Sequence, residues 1–215
     1  MEPYSFLMKL NDKQKEICLS DDNFILTACP GSGKTRTITY RIAYLAQKYI
    51  TSNLLNIAIT YTNRAADEIE ARLLDLGIDT SNIWTGTIHS FCLQFIIRPY
   101  ANYHASLSKG YRIIDEYIRD EYIKNIAKDL KIKGYIDDLK SNPLIREKYY
   151  DLLVQNKEID FNLILSYSYE LVCNYRFIAE NISHIIRSIH VDEFQDTNEL
   201  QYLILSCLIQ KNPYI

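Results

Sequence analysis

The amino-acid sequence predicts an α/β fold, in which helices flank a parallel β-sheet and a mainly α-helical subdomain is inserted. Short apolar runs alternate with helical patterns in the first part of the chain, and this alternation returns near its end. Between these parts the sequence is richer in charge and tyrosine and contains no obvious strand. We therefore expect residues 1–95 and 184–215 to form the α/β domain, and residues 96–183 to form the helical insertion.

Apolar periodicity places the individual elements. A short apolar run indicates a buried parallel strand, and apolar residues at every third or fourth position indicate a helix. The predicted elements, in chain order, are a strand at 24–28, a helix at 35–49, a strand at 55–60, a helix from 63 to about 77, a strand at 83–87, a helix from about 90, insertion helices at 115–130, 143–154 and 160–173, a strand at 185–192 and a helix from about 199.

Composition restricts the class of protein. The 215 residues suffice for one large domain, or for one domain with an insertion. No apolar run reaches membrane-spanning length and the N-terminus lacks a signal-peptide pattern, so we expect a cytoplasmic protein that uses no membrane. The five scattered cysteines indicate reduced thiols. The net charge of −3 does not indicate a strong binder of phosphate backbones, so a nucleic-acid partner would be bound by local contacts and stacking more than by a broad basic face.

A glycine-rich loop follows the first predicted strand, and residues 28–35 read Ala-Cys-Pro-Gly-Ser-Gly-Lys-Thr. Gly31 and Gly33 permit the tight backbone path that points N–H groups at phosphate oxygens. Lys34 supplies a positive charge to the β- and γ-phosphates, and the Thr35 hydroxyl can bind magnesium. Ala28 replaces the first glycine of the general pattern. A glycine-serine turn can arise by chance, but the strand–loop–helix context predicts a nucleotide site.

An acidic motif follows the last predicted strand, within residues 189–198. Asp192 and Glu193 stand at the strand's exit, where such a pair can hold Mg²⁺ and polarise a water beside a terminal phosphate. Alone, this pair could equally be an acidic turn before a helix. Together with the glycine-rich loop upstream, it predicts that the chain binds ATP.

Six segments resemble, in the family's order and over nearly the whole chain, the first motor domain of UvrD/Rep-like superfamily 1 helicases. The resemblance implies a RecA-like P-loop NTPase domain that uses ATP and Mg²⁺, binds single-stranded DNA and acts in an ATP-dependent DNA helicase or translocase. The phosphate loop alone would also suit kinases or GTPases, whereas the acidic motif is far more specific. Asn162 stands where the family usually has an acid. The six segments are residues 10–14, 28–36, 60–66, 86–91, 160–163 and 192–198.

The resemblance assigns roles in ATP binding and hydrolysis. Glu193 would activate the attacking water, Gln195 would sense the γ-phosphate, and Asp192 would hold Mg²⁺ together with Thr35. Lys34 would act on the phosphates in catalysis as well as in binding. The glutamine of the first segment would read the adenine edge, since an amide can form two hydrogen bonds with adenine. The nucleotide-binding residues are Gln14, Ala28, Cys29, Pro30, Gly31, Ser32, Gly33, Lys34, Thr35 and Arg36.

The segments after the second and third predicted strands resemble the DNA-contacting motifs of the family. Tyr61 would stack on a base, as aromatic side chains do in single-stranded DNA sites. From the residues alone, Tyr61 is equally a half-buried aromatic at a strand end, and His89 is equally a histidine bonded within a turn. The DNA-binding residues that the resemblance implies are Thr60, Tyr61, Thr62, Asn63, Arg64, Thr87, His89 and Ser90.

Hydrolysis in the family also needs arginines from a second motor domain, and a further motif follows the acidic one. Residues 211–215 read as a loop entering another strand. In the family's fold that strand lies between the phosphate-loop strand and the acidic-motif strand, so we expect an empty slot with exposed edges. We expect a fragment, or a subunit completed by a second motor domain from the same gene downstream or from another subunit. The alternatives are an ATP- and DNA-binding regulatory module without turnover, and a remnant that keeps only the fold.

Overall fold

A computed structural model describes residues 4–29, 31–132 and 142–210. Its elements, in chain order, are a 3₁₀ helix Ser5–Lys9, α1 (Asp12–Leu19), α2 (Lys34–Lys48), β1 (Leu55–Thr60), α3 (Asn63–Asp75), β2 (Ile83–Thr87), α4 (Ile88–Phe91), a π-helical segment Cys92–Ile97, α5 (Arg98–Tyr100), a 3₁₀ helix Ala101–Tyr103, β3 (Arg112–Ile113), α6 (Glu116–Asp129), α7 (Pro143–Asn156), β4 (Glu158–Ile159), α8 (Phe161–Asn174), α9 (Arg176–His184), β5 (Ile186–Val191), a 3₁₀ helix Phe194–Asp196 and α10 (Glu199–Ile209).

These elements divide into two compact units. The first comprises the residues up to Phe91 and those from Tyr175 onward, and the second comprises Cys92–Asn174. The predicted boundaries at residues 96 and 183 differ from this division. The difference at the second boundary is α9, which packs against α10 and β5 and therefore belongs to the first unit.

The sheet of the first unit is parallel, as predicted, with the strand order β2–β1–β5. Thr60 at the end of β1 is paired with Thr87 at the end of β2, and Ile59 is paired with Val191 at the end of β5. The carboxyl ends of the three strands therefore meet at one edge. In open α/β sheets this is the edge where ligands bind.

The segment before the phosphate loop differs from its prediction, since residues 24–28 do not form a strand. Phe24 is 42% exposed and Ile25 is 77% exposed, so the predicted burial was also wrong. A strand needs a neighbour to pair with its N–H and C=O groups. Within the described part of the chain the sheet ends at β5, and no strand lies beside residues 24–28. The predicted continuation at 211–215 lies outside the described residues.

The core of the first unit lies between the sheet and its helices. Ile57 on β1, Ile42 on α2, and Ile69 and Leu73 on α3 have no exposed surface. The buried positions of α3 recur at intervals of three or four residues, so α3 buries one face, whereas the buried residues of α2 include the continuous run 39–43. Thr62 begins α3 by accepting a hydrogen bond from the Ala65 N–H at 3.2 Å.

The second unit is mainly helical, as predicted, but it also contains two paired parallel strands. β3 and β4 are two residues each, too short to show the alternation by which a strand is recognised in a sequence. Ile114, Ile145 and Leu153 form its buried core together with Tyr149. The Tyr149 hydroxyl donates a hydrogen bond of 2.9 Å to Asp160. Among the helices of the described residues, none is both long and apolar enough to cross a membrane.

Candidate nucleotide site and nucleic-acid interface

The phosphate loop leads into the N-terminus of α2. Gly31 has a φ of 78° and Gly33 a φ of 90°, a region that glycine occupies without the strain other residues incur. Gly33 is the N-cap of α2 and offers no side chain to the first turn of the helix. The N–H groups of that turn are therefore available to an anion. Pro30, a predicted loop residue, lies outside the described residues.

Lys34 is bound to the loop itself. Its ammonium group donates a hydrogen bond to the Ala28 carbonyl at 3.0 Å, and the Cys29 carbonyl lies at 3.5 Å. The lysine is thus held against the loop as a point charge.

The two sequence motifs meet where Thr35 contacts Asp192. The Thr35 hydroxyl donates a hydrogen bond of 2.8 Å to one carboxylate oxygen of Asp192, and the Glu193 N–H donates to the other at 3.1 Å. Asp192 is only 7% exposed, and its own N–H extends the sheet by donating to the Ile59 carbonyl at 2.9 Å. A hydroxyl and a carboxylate at this spacing are oxygen donors of the kind that Mg²⁺ prefers.

Glu193 adopts a left-handed backbone conformation, with a φ of 54°. Residues other than glycine seldom occupy this region, and strain of this kind concentrates at functional sites. The Glu193 side chain is exposed and accepts a hydrogen bond from the Gln195 amide. The two residues predicted to activate water and to sense the γ-phosphate are therefore in direct contact.

Gln14 lies beside the phosphate loop. Its amide nitrogen is 3.5 Å from the Ser32 carbonyl, and its amide oxygen accepts from the Asn11 N–H at 3.1 Å. The second contact belongs to a capping box that begins α1 and fixes the position of the glutamine. Arg36 reaches across to the Lys9 carbonyl at 2.8 Å, so α2 and the segment before α1 are joined next to the loop.

A series of hydrogen-bonded polar side chains on β5 and β1 was not predicted from the sequence. His190 is 3.0 Å from the Ser188 hydroxyl, which in turn donates to Asn56 at 2.9 Å. Burial lowers the pKa of His190 to about 3, so the imidazole is neutral. The signal in the sequence was the presence of Ser188 and His190 at alternate positions of the strand, after Arg187.

The predicted DNA-binding residues gather at the carboxyl ends of β1 and β2. Four of them form hydrogen bonds within the loops that follow these strands. The Thr60 hydroxyl donates to the Thr62 carbonyl at 2.8 Å, and the hydroxyls of Thr87 and Ser90 are 3.0 Å apart. His89 is partly buried, which lowers its pKa. The exposed residues among them are Tyr61, which is 70% exposed, Thr62, Asn63 and Arg64.

Residues 10–145 and 137–215 match the family described as the UvrD/REP helicase N-terminal domain. The ATP-dependent DNA helicase PcrA of Bacillus subtilis (strain 168) is 30% identical over 240 residues, which cover 95% of this chain and 32% of PcrA. The PcrA of Staphylococcus aureus (strain NCTC 8325 / PS 47) is 30% identical over 238 residues, with 96% and 32% covered. The ATP-dependent DNA helicase SRS2 of Saccharomyces cerevisiae (strain ATCC 204508 / S288c) is 28% identical over 262 residues, with 96% and 22% covered.

The chain thus spans about a third of the length of PcrA and less of SRS2. The family match extends from residue 10 to residue 215 and includes the phosphate loop, the acidic motif and the helical unit between them. The chain belongs to the UvrD/REP helicase N-terminal domain family.

Proposed function

We propose that this chain is the ATP-binding first motor domain of an ATP-dependent DNA helicase or translocase, which couples ATP hydrolysis to movement along single-stranded DNA. The observation that carries the proposal is the 2.8 Å contact between Thr35 and Asp192. It joins the phosphate loop to the acidic motif at the ligand-binding edge of the sheet. PcrA and SRS2 are named as ATP-dependent DNA helicases, which supports the same function here.

Nucleotide binding is assigned to the loop and to the first turn of α2. The N–H groups after Gly33 would donate to phosphate oxygens, and Lys34 would exchange its contacts with the loop carbonyls for contacts with the β- and γ-phosphates. Gln14 is held beside the loop by its capping box, where its amide would recognise adenine. Arg36 would line the same end of the site.

Thr35 and Asp192 would hold Mg²⁺, because both present oxygen atoms at one point beside the loop. The ion, when bound, neutralises phosphate charge. Glu193 would take a proton from the attacking water, since its carboxylate is exposed next to Asp192. Gln195 touches that carboxylate and would respond to the γ-phosphate.

Coupling to DNA is assigned to β1, which connects the two sites. The Asp192 N–H is bonded to the Ile59 carbonyl, and Tyr61 follows only two residues later. A displacement of the acidic motif would therefore be transmitted through β1 to Tyr61. We propose that Tyr61 stacks on a base and that Asn63 and Arg64 contact the strand beside it.

The proposal includes a partner that completes the motor. Residues 24–28 carry exposed apolar side chains and have no strand beside them in the described part of the chain. A further strand in that position would pair with the backbone N–H and C=O groups of this segment. Catalysis would also require arginines from a second motor domain, encoded downstream in the same gene or supplied by another subunit.

We expect the 215-residue chain to bind ATP weakly and to unwind no DNA. The same unpaired segment favours, as the second candidate, an ATP- and DNA-binding regulatory module without turnover.

The test is ATP hydrolysis by the 215-residue chain, with and without single-stranded DNA. Glu193→Gln is the blank, because it should keep ATP binding and abolish hydrolysis. Lys34→Ala should remove nucleotide binding, measured with a fluorescent ATP analogue. DNA-stimulated turnover above the blank supports the motor function, and ATP binding without turnover supports the regulatory module or an incomplete motor. Unchanged affinity in Lys34→Ala would rule out the phosphate-loop assignment, and normal hydrolysis by Glu193→Gln would rule out its role as the general base.

A further inference from the structure

The helical unit contains an open cavity of about 480 Å³ that includes none of the motif residues. It lies where β3, the C-terminus of α7 and the beginning of β4 come together beside α6. Its volume is within the range of sites that hold small ligands. The lining residues are Lys109, Gly110, Tyr111, Arg112, Tyr122, Asn156, Lys157 and Glu158.

The acidic group in this cavity already accepts hydrogen bonds from neighbouring side chains. The Glu158 carboxylate is buried and accepts hydrogen bonds from Arg112 Nε at 3.1 Å, the Tyr122 hydroxyl at 3.0 Å and the Asn156 amide at 3.3 Å. Burial by itself would raise the pKa of Glu158, but these hydrogen bonds lower it below its usual value. Glu158 therefore stays ionised and offers little to a further ligand.

The cavity is lined by more cationic side chains than acidic ones. Three cationic side chains and one carboxylate line the cavity, so its formal charge is +2. In the described part of the chain, no ion pair joins Lys109 or Lys157 to a carboxylate, and both residues are exposed. An excess of positive charge within a cavity attracts anions more strongly than isolated surface lysines do.

Lys157 also adopts a backbone conformation that glycine would adopt at lower cost. It is the C-cap of α7 with a φ of 56°, and its carbonyl accepts a hydrogen bond from the Arg112 N–H at 2.8 Å. Helices commonly end with glycine in this left-handed conformation. A lysine here retains a charged side chain at the cavity in spite of the backbone strain, and such strain concentrates at functional positions.

The remaining lining residues include two aromatic side chains and a glycine. Tyr111 and Tyr122 contribute aromatic rings, and Gly110 contributes no side chain, with no atom within 4 Å of the position that its Cβ would occupy. Aromatic rings next to cationic side chains are the composition typical of sites for nucleotides and nucleic-acid strands. A simple acidic peptide would use the charges but not the rings.

We propose that this cavity is a second phosphate-binding site, which takes a phosphate group of a nucleotide or of a nucleic-acid strand between Lys109 and Lys157. The site is independent of the phosphate loop, because all of its residues belong to the helical unit. Its failure would therefore leave the proposed ATP site untouched.

The test is an NMR titration of the full chain with pyrophosphate, followed at the amide signals of Gly110 and Asn156. Lys157→Gly is the informative variant, because glycine suits the backbone conformation there and the fold should be retained. Lys148→Ala is the matched control, since Lys148 is an exposed lysine of α7 outside the cavity. We expect saturable shifts at both amides, an affinity about tenfold weaker in Lys157→Gly, and no change in the control.

Further ligands identify the source of the phosphate. A thymidine octanucleotide that shifts the same amides at lower concentration than AMP would indicate a strand, and the reverse would indicate a free nucleotide. Shifts confined to the phosphate loop would overturn the proposal. So would equal affinity of the wild-type chain and Lys157→Gly, or a hexaglutamate peptide that binds the cavity as tightly as pyrophosphate.

Discussion

The Thr35 hydroxyl donates its hydrogen bond to Asp192 across 157 positions of sequence. Local sequence preferences cannot explain this contact, since Thr35 lies in the first turn of α2 and Asp192 directly follows β5. The contact exists because α2 starts at the carboxyl edge of the sheet, where β5 also ends. Asp192 is almost fully buried, so its carboxylate depends on the few donors that surround it.

Replacing Thr35 by valine should weaken both the fold and the binding of Mg²⁺-ATP. Valine has nearly the same shape but no hydroxyl, so Asp192 loses a donor, which costs about 1–3 kcal/mol of unfolding free energy. We expect at least a tenfold loss of ATP affinity in Mg²⁺ and little change in EDTA. Thr35→Ser, which keeps the donor, is the control. Equal losses with and without Mg²⁺ would show that Thr35 does not act through the metal.

Gly33→Ala and Gly77→Ala should distinguish an effect on the phosphate loop, which lowers ATP affinity, from backbone strain, which lowers only stability. Both glycines have a positive φ, of 90° and 71°, so alanine should cost each about 1 kcal/mol of stability or more. Only at Gly33 would the new Cβ meet a site residue, since Gln14 Nε2 would lie 3.3 Å away. We expect reduced ATP affinity for Gly33→Ala alone, measured with a fluorescent ATP analogue beside urea unfolding. A similar affinity loss in Gly77→Ala would contradict this reading.

Elements that carry their own local signal were predicted well. The bounds predicted for β1 and β2 match the structure. For β1 the reason is a mostly apolar run, which describes a buried strand. The start of α3 at Asn63 was also predicted, and in the structure Thr62 supplies the cap that begins it. The phosphate loop and the acidic motif were recognised individually for the same reason.

Features that depend on a neighbour were not predictable in the same way. Residues 24–28 have the sequence of a strand, but pairing is a property of two segments, and the described residues provide no second one. The short β3 and β4 have too few residues for a pattern. The hydrogen bonds from His190 through Ser188 to Asn56 depend on the register between β5 and β1, which no local pattern reveals.

Tyr61→Ala should weaken binding of single-stranded DNA. The ring is 70% exposed at the end of β1, and stacking of a base on an aromatic side chain contributes about 1–3 kcal/mol. This range corresponds to a roughly 5- to 150-fold loss of affinity, measured by fluorescence anisotropy with a labelled oligothymidylate. Tyr61→Phe should bind nearly as well as the wild type. Tyr117→Ala is the matched control, because Tyr117 is 78% exposed and lies in the helical unit. If Tyr61→Ala and the control bind equally, Tyr61 is only a strand-end aromatic.

Tyr149→Phe should destabilise the helical unit. The Tyr149 hydroxyl is fully buried and donates to Asp160, whose other carboxylate oxygen accepts from the Leu163 N–H at 2.8 Å. Burial raises the pKa of Tyr149 and the nearby carboxylate raises it further, so the phenol remains a protonated donor. Phenylalanine fills the same space but leaves a buried carboxylate oxygen without that donor.

The expected loss is about 1–3 kcal/mol of unfolding free energy, since a buried charged acceptor is costly to leave without its partner. Urea unfolding followed by circular dichroism measures it, with Tyr117→Phe as the control that changes an exposed hydroxyl. We expect the control to stay within about 0.5 kcal/mol of the wild type. An unchanged midpoint for Tyr149→Phe would mean that water replaces the phenol at Asp160, and that the hydrogen bond does not stabilise the start of α8.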